Sequence, residues 1–507
     1  MKKTVFLLMI ITLFSKIIGF SRDMVLAYVY GTSNISDAYL ISLTIPTVVF
    51  SFIGVGITTA YIPMYSSIEK KGGDYQAFDY TSNLINIVLF FCTIIFLFGY
   101  IFTNKLVELF ASGFTVETLE LAVQFTKVTI LGIYFTSLVY ILQGLLQIKG
   151  KFFIPALIGL PLNIIFLFSI ILSKTTSLYV LSIGSVVATA SQLILLIPIA
   201  KKVGYRYKFK FNITDTSMIE MGKIALPVII GVSVNEINVL VDKTLASRIS
   251  VGGISSLTYA NRLNGFVVSI FVMSIATVLY PKISKMAAQN DLLGLKKTIA
   301  KAINNISLLL VPATIGAMLF SKPIIQLLYG RGAFDDVAIS MTSDALFYYS
   351  LGMLGYSYRE IIAKGFYSLK DAKTPMKNAT YGMLVNISLN ILLSKTMGIR
   401  GLALATSIAS TFTCAFLLLR LWKKIGPFGM KQIRNSFLKI LFASLIMGGL
   451  AKLSFNCLTI SLSQNLSLLL AIGVGVISYF VIIYFMKIED VDVIIGAIKK
   501  KIGRGVA

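Results

Sequence analysis

The chain has 507 residues, of which 56% are hydrophobic and only 13% are charged, and its formal net charge is +25. A water-soluble chain cannot bury so much apolar side-chain surface, and repeated apolar runs of about 20 residues indicate a polytopic membrane protein built of α-helices rather than a β-barrel. Most Lys and Arg residues lie in short loops between these runs, which argues against a nucleic-acid-binding protein and fits the basic bias of cytoplasmic loops.

The sequence predicts about 14 membrane-spanning helices. The first begins MKKTVFLLMIITLFSK, with the basic start and apolar core of a signal peptide. No small-x-small cleavage site follows it, so we expect an uncleaved span. The predicted spans are 4–30, 36–66, 79–103, 119–148, 152–173, 177–200, 218–247, 254–281, 298–321, 338–369, 375–396, 399–422, 436–456 and 465–487.

Charge alternates from one loop to the next. The loops at 69–79 and 282–298 are basic and are predicted to be amphipathic connectors, whereas the loop at 31–36 has no Lys or Arg. This asymmetry predicts that both termini are cytoplasmic, including the three lysines at 499–501, and that the number of spans is even. The segment GRGAFDD at 330–336 is then a turn on the outer side.

The chain also contains an internal repeat. Residues 35–66 resemble 254–284, and residues 143–163 resemble 364–386, both at an offset of about 220 residues. We interpret this as a duplication that gives two parallel six-helix lobes around a central cavity, followed by two further helices. The predicted domains are an N-lobe (1–210), a C-lobe (211–430) and a C-terminal region (431–507).

The first two spans contain ionisable residues at membrane depth. Such groups cost several kcal/mol unless they are paired or hydrated, so they mark cavities or partners. Lys16, Arg22 and Asp23 lie in the first span and Asp37 lies near the start of the second. Simpler explanations stay open: Lys16 can snorkel to the interface, Arg22 and Asp23 can pair only with each other, and Asp37 can cap its own helix.

Two more buried charges lie in the second predicted lobe. Arg262 has apolar sequence on both sides and no acidic neighbour, so together with Arg22 it predicts an anionic guest such as a phosphate. Asp242 has Asn238 and Thr244 nearby, a set of oxygens that suits Na⁺ or protonation, although Asp242 can also merely balance Lys243.

The residues of an enzyme are missing from the sequence. There is no histidine, no Walker A motif and no Ser/His/Asp set, and the three cysteines (Cys92, Cys414 and Cys457) lack metal-binding spacing. We therefore predict a transporter without a resident cofactor, driven by an ion gradient, the membrane potential or the gradient of its substrate.

Several stretches of the chain resemble the MurJ (MviN) family of lipid II flippases, within the multidrug, oligosaccharidyl-lipid and polysaccharide exporter superfamily. The resemblance is carried by SKIIGFSRDMVLAYVYGTSNISDAYLIS (15–42), INVLVDKTLAS (237–247), YANRLNGFVVSIFVMSIATVLYPKISK (259–285), LLYGRGAFD (327–335) and AKGFYSLKDAKTPMK (363–377). It implies 14 helices and an alternating-access movement of lipid II, the undecaprenyl-diphosphate-linked peptidoglycan precursor, from the inner to the outer leaflet of the bacterial plasma membrane.

The resemblance also assigns roles to residues. The essential cavity charges of the family correspond to Arg22, Asp23, Asp37 and Arg262, and Lys16 stands where the family usually has arginine. Asp242 matches a position implicated in sodium binding in some relatives.

One segment departs from the family pattern. A further arginine pair of the family is missing from IPTVVFSFIGVG (45–56). This departure leaves open a flippase for another undecaprenyl-diphosphate-linked glycan, of the O-antigen or capsule type. A drug/cation antiporter fits less well because the predicted cavity has excess arginine, and a scaffold or receptor would have no need of the buried charges. The oligomeric state stays open.

Overall fold

The computed structural model describes residues 2–486. Helices joined by short turns make up this part of the chain, which confirms the predicted all-α class. The described residues divide into two compact units, one formed by 2–255 with Arg331–Ala338, the other by Ser256–Gly330 and 339–486. The predicted basic tail at 499–501 lies outside the described residues.

The first unit contains nine helices and the start of a tenth. Its core lies between α2, α5 and α8, around the buried rings of Tyr61, Tyr65 and Tyr80. The helices are α1 (Lys2–Tyr30), α2 (Asn34–Ile101), α3 (Thr103–Phe110), α4 (Val116–Thr129), α5 (Gly132–Ile148), α6 (Phe153–Leu157), α7 (Gly159–Ser173), α8 (Tyr179–Lys202) and α9 (Thr216–Ile249), and then α10 (Gly253–Val268) begins.

The second unit contains most of α10 and the helices after it. A π-helical segment (Ser269–Met273) follows α10, and α12 packs against α17, which packs against α18. The helices are α11 (Ser274–Ala288), α12 (Leu292–Leu319), α13 (Ser321–Tyr329), α14 (Asp336–Ser368), α15 (Lys373–Met397), α16 (Ile399–Ile425), α17 (Met430–Leu458) and α18 (Gln464–Phe485).

The predicted spans correspond to helices, with three differences. The second and third spans and the connector between them are numbered together as α2, in which two helical segments meet at a kink at Gly73 (φ 72°). The fourth span is bent by 42° between α4 and α5, and the eighth is interrupted by the π-helical segment. Among the described side chains, seven helices are long and apolar enough to cross a membrane, or eight with the bent pair, so the count of 14 stays a prediction.

Two prolines inside helices leave a carbonyl group without its helical donor, and in both cases a hydroxyl from another helix replaces that donor. Pro46 has no N–H to give to the carbonyl of Ser42, and Thr129 at the end of α4 donates its hydroxyl to that oxygen at 2.6 Å. Pro312 in α12 likewise leaves the carbonyl of Leu308 free, and the buried hydroxyl of Tyr479 in α18 donates to it at 2.7 Å. Hydrogen bonds at proline sites thus hold neighbouring helices in register.

We expect Tyr479→Phe to destabilise the packing of α18 on α12. A hydrogen bond between membrane helices contributes about 0.6–2 kcal/mol, so thermal unfolding of the purified chain should begin at a lower temperature. Tyr484→Phe, on an exposed side chain of the same helix, is the matched control. In a Pro312→Ala background the helix supplies its own N–H to Leu308, and Tyr479→Phe should then cost less; an equal cost in both backgrounds would contradict this explanation.

Candidate substrate-binding site

Arg22 and Asp23 form an ion pair on α1. The Arg22 Nη2 and Nε atoms lie 3.0 and 3.2 Å from Asp23 Oδ1, and the carboxylate is buried while the guanidinium is 17% exposed. Adjacent residues on a helix point about 100° apart, but the arginine side chain is long enough to reach its neighbour. The predicted pairing is therefore present in the structure.

The ion pair leaves the guanidinium able to bind a further anion. Arginine has five N–H donors in a planar fork, and the bonds to Asp23 use the Nε proton and one Nη2 proton. The Nη1 edge has no acceptor among the described residues. A phosphate can therefore bind Arg22 without displacing Asp23, which keeps the side chain extended and compensates its charge.

Helix α7 supports this arginine, which the sequence reasoning did not predict. The Arg22 guanidinium carbon lies 5.0 Å from the centre of the Phe166 ring, within the range of a cation–π contact. Asn163, one turn earlier on α7, donates to the carbonyl of Gly159 at 2.8 Å and lies beside Gly19 of α1. The sequence contains one signal for this contact: Asn163 lies inside an apolar span, and Phe166 follows three positions later on the same face of the helix.

Lys16 is exposed on α1. It precedes Asp23 by seven residues, so the two lie on the same side of the helix about two turns apart. Snorkelling and substrate contact both remain compatible with this position.

Asp37 joins the start of α2 to the start of α10. Its Oδ2 accepts the Gly252 N–H at 2.9 Å and its Oδ1 accepts the Ser255 N–H at 2.7 Å, and the side chain is 2% exposed. The alternative that Asp37 caps its own helix is wrong, because Ser33 does so by accepting the Ser36 N–H at 3.4 Å. Both carboxylate oxygens are engaged with the backbone, so the geometry gives Asp37 a positioning role.

The GRGAF turn packs against the end of α1. The predicted turn is present between α13 and α14, and the Ala333 N–H donates to the carbonyl of Tyr28 at 2.9 Å. Gly31 and Gly332 have left-handed backbone (φ 57° and 65°), and a Cβ on either would collide with the facing carbonyl of Ala333 or Tyr28. These two glycines allow the turn and the α1–α2 loop to approach closely.

Asp242 lies on α9 in the first unit. Asn238 lies one turn before it on the same face, and its Oδ1 atom is buried without a hydrogen-bond donor in the described structure. Thr244 donates its hydroxyl to the carbonyl of Leu109 at 2.8 Å. An orphaned amide oxygen beside a carboxylate fits a small hard cation, although no group of three or more His, Cys, Asp or Glu residues that could hold a metal occurs in the described part of the chain.

Arg262 lies on α10 in the second unit, where it is half-buried. The π-helical segment begins seven residues after it. π-Helical turns inside α-helices occur frequently at functional sites. The sequence shows Arg262 as an unusual charge but contains no signal for the π-helical geometry.

Comparison with known proteins places the chain in a family. The family model "Lipid II flippase MurJ" matches residues 26–478. Curated relatives described as probable lipid II flippase MurJ include those of Vibrio cholerae (27% identical, 95% of each chain covered) and Aquifex aeolicus (28% identical, 96% of this chain and 94% of the relative).

Solved structures agree with this placement. A structure of lipid II flippase MurJ in an inward closed conformation is 28% identical, with a TM-score of 0.83, and the match covers 95% of this chain and 98% of that one. An inward-facing multidrug resistance MATE family transporter shares the fold at 13% identity and a TM-score of 0.70, over 81% of this chain and 94% of that one. The chain therefore belongs to the MurJ family of lipid II flippases.

Proposed function

We propose that this protein moves lipid II from the inner to the outer leaflet of the bacterial inner membrane by alternating access. The observation that carries the proposal is the Arg22–Asp23 pair, in which a guanidinium keeps a free donor edge inside an apolar helix. Relatives over nearly the whole chain are named for lipid II, and a diphosphate is the anionic part of that molecule.

Arg22 grips the diphosphate in this proposal. Its fork geometry matches two phosphate oxygens, and charge-assisted hydrogen bonds of this kind are roughly twice as strong as neutral ones. Asp23 orients the guanidinium and neutralises it between transport cycles. Arg262 and Lys16 are the other cations assigned to substrate binding, while Asp37 fixes the loop that precedes α10. The transported molecule undergoes no covalent change.

We assign to Asp242 the return of the empty carrier to its starting conformation. A Na⁺ ion held by Asp242 and the orphaned Asn238 oxygen would compensate the carboxylate and couple transport to an ion gradient. The basic bias of alternate loops supports a cytoplasmic location for both termini.

A second candidate cargo is another undecaprenyl-diphosphate-linked glycan. The observation in its favour is that residues 45–56, where the family often has an arginine pair, are free of arginine in this sequence. Arg22 would bind the diphosphate of either cargo in the same way, so the two cargoes differ only in their glycan.

Complementation of a conditional lipid II flippase mutant tests the proposal. The wild-type chain should restore growth without lysis, and Arg262→Ala should fail to do so while reaching the membrane in equal amount, because a desolvated phosphate contact is lost. Arg400→Ala removes an exposed arginine paired with Asp344 and serves as the matched control that should still complement. Growth restored by Arg262→Ala would contradict the role proposed for Arg262. If depletion of the protein from its native host causes loss of surface glycan without lysis, the second cargo is favoured.

A further inference from the structure

An apolar cleft lies in the first unit, lined by residues that the proposed transport mechanism does not use. Its volume is about 740 Å³ and its walls include Leu89 of α2, Leu142 of α5 and Leu193 and Ile197 of α8. Sites for small ligands have volumes of about 300–1,000 Å³. Ile197 is 41% exposed, so the cleft opens at the surface of two candidate membrane spans, and we infer that lipid covers this surface.

One end of the cleft is closed by a fixed basic segment, YRYKFKF at 205–211. Asn86 of α2 donates its amide to the carbonyl of Lys210 at 2.9 Å and accepts the hydroxyl of Tyr207 at 2.6 Å. Ser82, one turn earlier on α2, lies 3.2 Å from the hydroxyl of Tyr205. The segment is therefore held against α2 and alternates aromatic with basic side chains beside the cleft.

The cations of this region differ in whether they have a partner. Lys208 donates to a tyrosine hydroxyl of α2 at 3.1 Å, and Lys210 pairs with Asp79 at 3.9 Å. Lys201 and Arg206 line the cleft itself, and among the described residues neither has a carboxylate within ion-pair distance. Two uncompensated cations therefore lie where an apolar cleft ends.

We propose that this cleft binds one anionic glycerophospholipid, with an acyl chain along the leucine-lined wall and the phosphate held by Lys201 and Arg206. The apolar wall suits an aliphatic chain, and the two cations suit an anionic group at the end of that chain. A phospholipid has both, because its acyl chain is joined to a phosphate through glycerol. Tyr207 and Phe209 are 52% and 81% exposed, as expected of aromatic residues at the membrane interface. Basic residues at that depth attract anionic lipid headgroups.

Lipid binding to the purified full-length chain tests the site. We would titrate phosphatidylglycerol and phosphatidylcholine with identical acyl chains and count bound lipids by native mass spectrometry. Lys201→Gln/Arg206→Gln should weaken phosphatidylglycerol binding about tenfold or more, since each basic contact contributes about 1 kcal/mol. Lys208→Gln/Lys210→Gln removes the same net charge from the neighbouring segment 205–211 and should have a much smaller effect.

A second pair of variants tests the apolar wall with every charge kept. Ile197→Trp fills the cleft and should abolish the tight phosphatidylglycerol site. Ile194→Trp, on the same helix at a position that is 71% exposed and outside the cleft, should leave it intact. Unchanged thermal unfolding of both variants shows that they are folded.

Three results would overturn the proposal. Equal losses in the two charge variants would mean diffuse attraction to the surface, and equal binding of phosphatidylglycerol and phosphatidylcholine would mean that the site does not select a net anionic headgroup. If lipid II displaces phosphatidylglycerol one for one and itself requires Lys201 and Arg206, the cleft belongs to the transported substrate. These readouts do not depend on transport, so failure of the flippase proposal would appear in complementation and not here.

Discussion

Arg22→Ala is expected to abolish lipid II translocation. The guanidinium provides the bidentate contact to the diphosphate, and alanine leaves neither charge nor donor in its place. The substitution also leaves the buried Asp23 carboxylate without its ion pair, a change that typically costs about 3–5 kcal/mol in a buried pair. The single variant should therefore lose both transport and some stability, measured by outer-leaflet lipid II and by thermal unfolding.

Two further variants separate these effects. Arg22→Ala/Asp23→Asn also removes the buried negative charge of Asp23, so it should recover most of the stability and still fail to transport. Arg22→Lys keeps a point charge without the planar fork and should retain partial transport. Normal transport by the double variant would contradict the proposed role of Arg22.

Asp37→Ala should produce the second large effect, acting on the fold. The buried N–H groups of Gly252 and Ser255 both lose their acceptor, and each unsatisfied buried group costs about 1–3 kcal/mol. The unfolding temperature of the purified chain should fall clearly, and the amount of protein in the membrane should fall with it.

Asp37→Asn and Ser33→Ala are the informative comparisons. Asparagine keeps one acceptor oxygen and should recover part of the stability. Ser33→Ala removes only the cap of α2, which costs about 1 kcal/mol, and should be milder. If Asp37→Asn is as stable as the wild type and still loses transport completely, the carboxylate contacts the substrate and the positioning role is wrong.

Local sequence predicted the helices whose apolar runs are bounded by glycine or charged residues. The predicted span 399–422 corresponds to α16 (Ile399–Ile425), and 375–396 corresponds to α15 (Lys373–Met397). An apolar run with glycine or charged residues at its ends contains this information directly, because burial and turn formation are both local there.

Interruptions within the helices were not predictable in the same way. The kink at Gly73 is an exception, because it lies within the predicted connector at 69–79. Pro46 removes an N–H from α2, and Thr129 of α4 satisfies the carbonyl that the proline leaves free. This hydrogen bond comes from another helix, so the local helix propensity of the sequence does not predict it.

The same distinction applies to the candidate site, where contacts between sequence neighbours were predictable and long-range contacts were not. The Arg22–Asp23 pair was predictable because the partners are neighbours in sequence and an ionisable group at membrane depth requires compensation. The contacts of Asp37 with Gly252 and Ser255 join residues more than 200 positions apart. The support of Arg22 by Phe166 is another long-range contact, and only the folded chain reveals it.

The central claim is that this protein flips lipid II by holding its diphosphate with Arg22. The most direct measurement is the fraction of lipid II accessible in the outer leaflet of cells depleted of their own flippase and supplied with either the wild-type chain or Arg22→Ala/Asp23→Asn. The account predicts outer-leaflet lipid II with the wild type and retention in the inner leaflet with the variant, at equal amounts of membrane protein. Outer-leaflet lipid II at the same level with both chains, or with neither, would contradict it.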